Sequence, residues 1–317
     1  MERAALKHDK RIKKIRHACY EDSEYNRVLV NSNGVKSFYS DTVCSTSIML
    51  VAEEGGNSET GWEFDYSRFY KNLKIEEVGI EAAEKAIKML GAKRINTCRV
   101  PVIIDPKVSC DFLGILSSSL SADSVQKGKS MLADKLNSKI ASPILNLIDD
   151  GTLDGGIGSA PSDGEGTPAR RPPMIEKGYL KAFLHNIYTA NKWKTTSTGN
   201  SVRGGFKGLP GVGITNHYVE KGGISREALI KGIDKGLIIT EAMGVHTANP
   251  ISGDFSIGVA GHMIEKGEIS FPVRGVVMAG NILELMKGVE AVGDDLRFFG
   301  RIGSPSIKVS EVVISGS

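Results

Sequence analysis

The chain has 317 residues, a 40% hydrophobic fraction, 24% charged residues and a formal net charge of +3, which suits a globular protein of two domains at roughly 100–200 residues each. That charge is too mild, and the 6% aromatic content too sparse, for a basic and aromatic nucleic-acid face. No segment approaches the ~18 consecutive apolar residues of a membrane-spanning helix, so neither nucleic acid nor a membrane is an expected partner.

Met1 to Ile15 reads as the end of a helix, with Ala4, Ala5 and Leu6 followed by the solvated charges Lys7, Lys10, Arg11, Lys13 and Lys14. Met1 to Arg16 is densely charged and holds no apolar run, so no secretory signal is expected there. Cys19 to Glu53 reads as three strands: Tyr25–Val30, Val35–Tyr39 after an Asn33-Gly34 turn, and Thr46–Ala52. Glu76 to Leu90 is helical, with Val78, Ala82, Ala83, Ala86, Ile87 and Leu90 on one side and Gly91 as its stop. A domain boundary is expected near Lys93 to Asn96.

The second domain opens with a strand over Arg99–Asp105. Pro106 then starts a helix at its first position with Asp105 as N-cap, and Val108, Phe112, Leu116 and Leu120 give it one buried stripe. Ile144–Ile148 reads as a strand with a turn at Asp149-Asp150-Gly151. Gly151 to Pro173 is a loop rich in Gly, Pro, Asp and Ser, either a flap or a long ordered loop. A hairpin over Met174–Leu180, a short helix over Tyr188–Lys194, a helix from Ser225 to Lys235, a helix over Asn281–Lys287 and a strand over Ser306–Ile314 follow. Strands come in hairpins and not in βαβ alternation. The expected class is α+β: two domains, 1–93 and 96–317, of antiparallel hairpin-rich sheets with packed helices. Cys19, Cys44, Cys98 and Cys110 are far apart and form no CxxC pair, which points to reduced thiols and a cytoplasmic protein.

The most distinctive stretch is Gly244 to Gly261. It is too rich in small residues for a helix and too apolar for a linker. Asn249-Pro250 and Ser252-Gly253 break it, and Asp254–Val259 then alternates as a half-buried strand does. Met263–Ser270 reads as a second strand turning at Lys266-Gly267. Glycines here let the backbone approach another chain closely, whether a peptide, a partner subunit or a neighbouring strand. Candidate peptide-groove or interface residues are His246, Thr247, Ser252, Gly253, Asp254 and His262.

Catalytic signatures fail one by one. Gly128-Lys129-Ser130 lacks the glycine five residues upstream that a P-loop needs, since Asp123 stands there. Gly204 to Gly211 is glycine-rich but does not link a strand to a helix. Among His8, His17, His185, His217, His246 and His262 there is no HExxH and no pair three to five apart. The acidic group Asp149, Asp150, Asp154, Asp163 and Glu165 can do acid–base work, but turn capping beside glycines explains it as well. No serine sits in a GxSxG elbow.

The segments Gly244-Val245-His246-Thr247, Ser252–Ser256 and Ile264–Glu268 resemble the C-terminal domain of the TldD/TldE (PmbA) metallopeptidase family, its TldE/PmbA branch in particular. So do Asp149–Thr152, Asp163–Pro168 and Thr198-Gly199-Asn200, while Leu29–Gly34 resembles the family's middle domain. The resemblance covers nearly the whole chain, and the family's N-terminal domain is expected to be missing or supplied separately.

The resemblance implies that catalysis lies elsewhere. The TldD branch hydrolyses peptides with a zinc ion held by two histidines on an early C-terminal-domain helix that also carries a glutamate, and by a late cysteine. The helix in the matching place here, Pro106–Ala122, has no histidine or glutamate, and Gly300–Pro305 has no cysteine. The expected role is a non-catalytic subunit, without a cofactor of its own, in a complex whose TldD-like partner holds the zinc and acts on peptides or unstructured polypeptides. A homodimer is the assembly expected when that partner is missing. The alternatives are an autonomous hydrolase using His246, His262 and Asp254, and a stand-alone peptide-binding module.

Overall fold

A computed structural model describes residues 1–316. Contacts between Cα atoms divide them into two compact units: Met1–Arg27 with Phe38–Lys93, and Val28–Ser37 with the chain from Arg94 onward.

In the first unit, α1 (Glu2–His8) precedes a three-stranded sheet in the order β1 (Ile12–Val30), β2 (Lys36–Glu54), β3 (Asn57–Ser67). The helix predicted over Met1–Ile15 stops at His8, because Ile12 already begins β1. The strands predicted over Val35–Tyr39 and Thr46–Ala52 are one strand of 19 residues. Its polar middle, Ser40-Asp41-Thr42, looks like a break, yet a strand carries such residues where its faces are wet. On β2, Cys44, Thr46, Ile48, Leu50 and Ala52 alternate inward, the period of a half-buried strand.

Strand β3 is absent from the sequence reading. Its signal is the alternation of Trp62, Phe64 and Tyr66, whose rings line up along one face. The helix α2 (Ile75–Met89) covers the other face with Val78, Ala82, Ala83 and Ala86. Small residues are required here: a Cβ on Gly61 of β3 would lie 1.9 Å from the Ala82 carbonyl oxygen.

The second unit contains two six-stranded sheets. The larger runs β13 (Glu268–Asn281), β12 (Asp254–Glu265), β11 (Lys235–Met243), β4 (Cys98–Ile104), β17 (Ile307–Ser315), β14 (Val289–Val292). Pairing of Val277 with Ser315 and Met278 with Ile314 joins β13 to β17, so five strands close on themselves. Only the β4–β11 ladder in this sheet is parallel among the described pairings. The smaller sheet runs β15 (Arg297–Phe299), β16 (Ile302–Ser304), β10 (His217–Val219), β5 (Leu147–Asp149), β6 (Pro173–Glu176), β7 (Tyr179–Leu180). A separate ribbon pairs β8 (Ser201–Val202) with β9 (Gly211–Val212).

The helix α3 (Pro106–Leu120) touches β15 and β16 on one side and β11 on the other. Asp105 caps it, accepting from the Lys107 amide at 3.3 Å, with Pro106 at the first position. Its stripe Val108, Phe112, Leu116, Leu120 is buried as the spacing predicts, with Phe112 edge-on to Phe255 of β12 at 5.0 Å. Short helices α4 (Ala122–Gln126), α5 (Ile187–Lys192), α6 (Arg226–Lys231) and α7 (Ile282–Lys287) complete the unit.

Two expectations change in this unit, and one left open is resolved. The helix from Ser225 ends at Lys231, and β11 starts at Lys235. Leu237-Ile238-Ile239 is a continuous apolar run in a strand buried on both faces, which periodicity alone cannot type. Asp254–Glu265 is one strand, so the turn at Lys266-Gly267 joins β12 to β13 and is not internal to a second strand. Finally, the glycine at 261 serves the neighbouring strand: a Cβ there would lie 1.8 Å from the Ile238 carbonyl oxygen of β11. The fold class stands as expected, mixed α and β with mainly antiparallel sheets.

Candidate functional site

A groove of about 450 Å³ opens along α3, within the span of roughly 300–1,000 Å³ common for ligand sites. One wall is the helix face Cys110, Asp111, Gly114, Ile115 and Ser118. Facing it are Val245, His246, Ala248 and Pro250, with Ile302 of β16 completing the lining. The facing loop is built locally. Gly244 takes φ +79° and is followed by a single 3-10 turn, Val245–Thr247, in which the Thr247 amide and hydroxyl both donate to the Gly244 carbonyl at 2.9 and 2.7 Å. Asn249 Oδ1 accepts from the amides of Ile251 and Ser252 at 2.8 and 3.3 Å, an Asx-type turn. The Ser119 hydroxyl donates to the Pro250 carbonyl at 2.8 Å and ties the loop to α3.

Of the six candidate residues, only His246 lines this groove. Thr247, Ser252, Gly253 and Asp254 build the loop behind it. Gly253 holds φ +83°, Ser252 Oγ accepts from the Asp254 amide at 3.3 Å, and Asn281 Nδ2 donates to Asp254 Oδ1 at 2.9 Å. Side-chain hydrogen bonds to the carboxylate, from Asn281 first and then Ser252, hold the Asp254 carboxyl below its ordinary value. His262 lies within β12, opposite Ile238 and Pro272 in the ladders. The structure therefore does not gather His246, Asp254 and His262 into one hydrolytic centre.

The groove's own chemistry is quiet. Burial, the dominant influence, pushes the Cys110 thiol up to about 12, and its Sγ–H donates to the Ile302 carbonyl at 3.5 Å. A thiol that keeps its proton at neutral pH is a poor nucleophile. Asp111 is engaged by Lys107 Nζ at 2.6 Å. Gly114, Ile115 and Ser118, where α3 faces the groove, offer no imidazole or carboxylate. Among the described residues no group of three or more His, Cys, Asp or Glu is arranged to hold a metal. This donor set does not fit a zinc ion, which needs about three protein ligands and an open position.

A second cluster, buried and polar, was not connected by sequence reasoning. Asp149 is 1% exposed and accepts from the Thr215 amide at 2.9 Å, the Thr215 hydroxyl at 2.7 Å and Asn200 Nδ2 at 2.6 Å. His217 is fully buried with Nδ1 at 3.6 Å from Asp149 Oδ1. That is too long for a hydrogen bond, and neither ring nitrogen has a hydrogen-bond partner. Burial is the largest influence on Asp149 and pushes its carboxyl up, but His217, Thr215 and Asn200 together outweigh it and hold the group below its ordinary value.

Around this centre the long loop is tied down. Asp150 Oδ1 accepts from the Thr152 amide and hydroxyl at 2.8 and 2.7 Å, and Asp163 accepts from the amides of Glu165, Thr167 and Ser201 at 2.9, 2.9 and 3.0 Å. Asn216 Oδ1 accepts from Gly158 at 2.8 Å. The segment 151–173 is thus an ordered loop, and Asp149, Asp150 and Asp163 are capping and anchoring groups. Sequence could show turn-forming carboxylates, but not that Asp149 meets residues 51 and 66 positions away.

Comparison with known proteins completes the picture. The profile described as "PmbA/TldA metallopeptidase central domain" matches residues 1–90, and "PmbA/TldA metallopeptidase C-terminal domain" matches residues 97–316. The chain is 31% identical over its full length to a "Metalloprotease PmbA homolog" of Buchnera aphidicola subsp. Acyrthosiphon pisum, spanning 69% of that relative. It is also 31% identical to "Metalloprotease PmbA" of Escherichia coli O157:H7, over 99% of this chain and 68% of the relative. Among solved structures, TldE from Thermococcus kodakarensis superposes with a TM-score of 0.93 at 27% identity, over 99% of this chain and 72% of that one. A Thermotoga maritima protein proposed to modulate a DNA gyrase gives a TM-score of 0.93 at 31% identity, with the same coverage of 99% and 72%. The chain belongs to the PmbA/TldA metallopeptidase family, and it resembles that family's PmbA and TldE members.

Proposed function

We propose that this chain is the non-catalytic, TldE/PmbA-type subunit of a zinc-dependent peptidase complex that processes or degrades peptides and unstructured polypeptides. In this reading residues 1–93 and 96–317 are the family's middle and C-terminal domains, a TldD-like HExxxH-bearing chain holds the zinc, and the complex works in the cytoplasm. The observation that carries it is the face of α3: where a helix of a catalytic relative presents its zinc ligands, this one presents Gly114, Ile115 and Ser118 beside Cys110 and an Asp111 engaged by Lys107, and no third donor joins them among the described residues. The groove still has room for a few residues of extended polypeptide, and the loop carrying His246 forms its facing wall. Main-chain hydrogen bonds recognise such a segment without demanding sequence.

The test is metal analysis with a peptide-cleavage assay on the chain alone and on its mixture with an HExxxH-bearing relative. Zinc and turnover that appear only with the relative support the proposal. Stoichiometric zinc with turnover in the chain alone overturns it. A stand-alone peptide-binding module instead predicts peptide binding that never depends on the relative.

A further inference from the structure

The loop between β8 and β9 runs Gly204-Gly205-Phe206-Lys207-Gly208-Leu209-Pro210. Phe206 is 91% exposed and Leu209 92% exposed, the two barest large apolar side chains among the described residues. Surface apolar residues scattered singly need no explanation, but two that stand clear together mark an interaction site.

The base under this tip is built. Arg203 Nε donates to the Gly164 carbonyl and Arg203 Nη1 to the Gly208 carbonyl, both at 2.8 Å. Asn186 Nδ2 donates to the Pro210 carbonyl at 3.1 Å, and the Gly208 amide closes a turn onto Gly205 at 3.2 Å. Cβ atoms added at Gly204 or Gly205 would meet nothing within 4 Å, so the tip projects from the surface.

The segment that carries the tip has charge of one sign, while Asp163 and Glu165 stand at its base and accept from the Ser201 and Ile187 amides. From residue 187 to residue 219 there is no Asp or Glu, while Lys192, Lys194, Arg203 and Lys207 fall within that span. Lys207 Nζ sits 5.5 Å from the centroid of the Phe206 ring, beside the apolar tip.

A projecting knob cannot wrap an extended peptide; it fills a pocket. Resting on the partner-subunit reading above, we propose that Phe206 and Leu209 are the anchors that dock this chain into an apolar pocket with a carboxylate-bearing rim on its metal-bearing partner subunit. The apolar tip supplies affinity, as buried aromatic anchors do. The cations steer encounter and reject basic surfaces.

The experiment measures the dissociation constant between this chain and the HExxxH-bearing chain encoded in the same genome, for wild type, Phe206→Ser/Leu209→Ser and Lys207→Glu. The double variant weakens the complex on the order of 100-fold. Lys207→Glu weakens it about fivefold at low salt, and the difference fades in about 0.5 M salt. The melting temperature of each isolated variant stays at the wild-type value, because the substituted side chains stand in solvent. An unchanged dissociation constant for the double variant overturns the docking role while leaving the partner-subunit reading intact. Loss of binding to phosphatidylglycerol vesicles with unchanged subunit affinity would assign the tip to a membrane surface instead. If the wild-type chain does not bind the relative, the partner-subunit reading falls and this docking falls with it.

Discussion

Replacing Asp149 with alanine tests whether the buried polar cluster organises the second unit. Three donors converge on this carboxylate: the Thr215 amide, the Thr215 hydroxyl and Asn200 Nδ2. Each bond to a charged acceptor is worth about 1.5–3 kcal/mol, but they do not simply add. Asn200 Nδ2 keeps the Gly213 carbonyl at 3.0 Å, and a hydroxyl can rotate toward another acceptor. The Thr215 amide has no such freedom and loses its acceptor outright, at a cost of about 1–3 kcal/mol. With the two side-chain donors also losing their acceptor, the total comes to about 3–4 kcal/mol, in line with removing a buried, hydrogen-bonded charge. Urea unfolding followed by Trp193 fluorescence, with Trp62 replaced by phenylalanine, reports on this unit. At a slope of roughly 3 kcal/mol/M the midpoint falls by about 1 M. A shift below about 0.3 M would refute the claim that this carboxylate anchors the Asn200 and Thr215 segments. The pH dependence has a definite sign. The folded value of Asp149 lies below its ordinary 3.8, so its contribution is complete above that value and is lost as pH falls through the folded one. In Asp149→Asn the acid limb below about pH 4 is shallower than in wild type.

Other consequences follow from single contacts. Gly261→Ala forces a Cβ onto the Ile238 carbonyl oxygen and destabilises by about 3 kcal/mol or more, whereas Gly244→Ala has open space and costs only the left-handed backbone penalty of about 1–2 kcal/mol; chemical denaturation of the two separates them. Burial, chiefly, lowers His185 below its ordinary 6.5, so stability falls as pH drops below that value, and His185→Gln removes this slope between about pH 7 and pH 5. The Cys110 thiol, pushed up to about 12, stays unlabelled by iodoacetamide at neutral pH in the native protein and reacts once urea unfolds it. His246→Ala leaves the melting temperature within a degree or so of wild type, since an exposed side chain contributes little to stability; in the reconstituted complex it raises KM for peptide more than it lowers kcat.

Residues whose neighbours are close in sequence were readable from sequence. Asp105 and Pro106 announced the start of α3, its four-residue spacing announced the buried stripe, and Lys266-Gly267 announced a turn, though not the two long strands it joins. The turn-capping role of Asp150 and Asp163 was legible for the same reason, because their partners lie two to four positions away. What sequence could not show depends on the tertiary fold. The run Leu237-Ile238-Ile239 does not distinguish a central strand from a helix. Nothing in the chain's order says that Gly261 serves the Ile238 carbonyl, or that His246 meets α3 while Asp254 and His262 do not. That α3 holds no histidine or glutamate is visible in the sequence itself, since a residue type that is absent needs no geometry to be recognised. The groove beside α3 is not.

The central claim is that this chain carries no metal-dependent catalysis of its own and acquires a function through a metal-bearing partner. The most direct measurement is zinc stoichiometry and peptide turnover on the same three samples: this chain, the HExxxH-bearing relative, and the two mixed in equal amounts. The account predicts no bound zinc and no turnover for this chain, about one zinc in the mixture carried by the relative, and turnover that rises when this chain is added. Zinc and turnover in this chain alone, abolished by a chelator and restored by zinc, would contradict it.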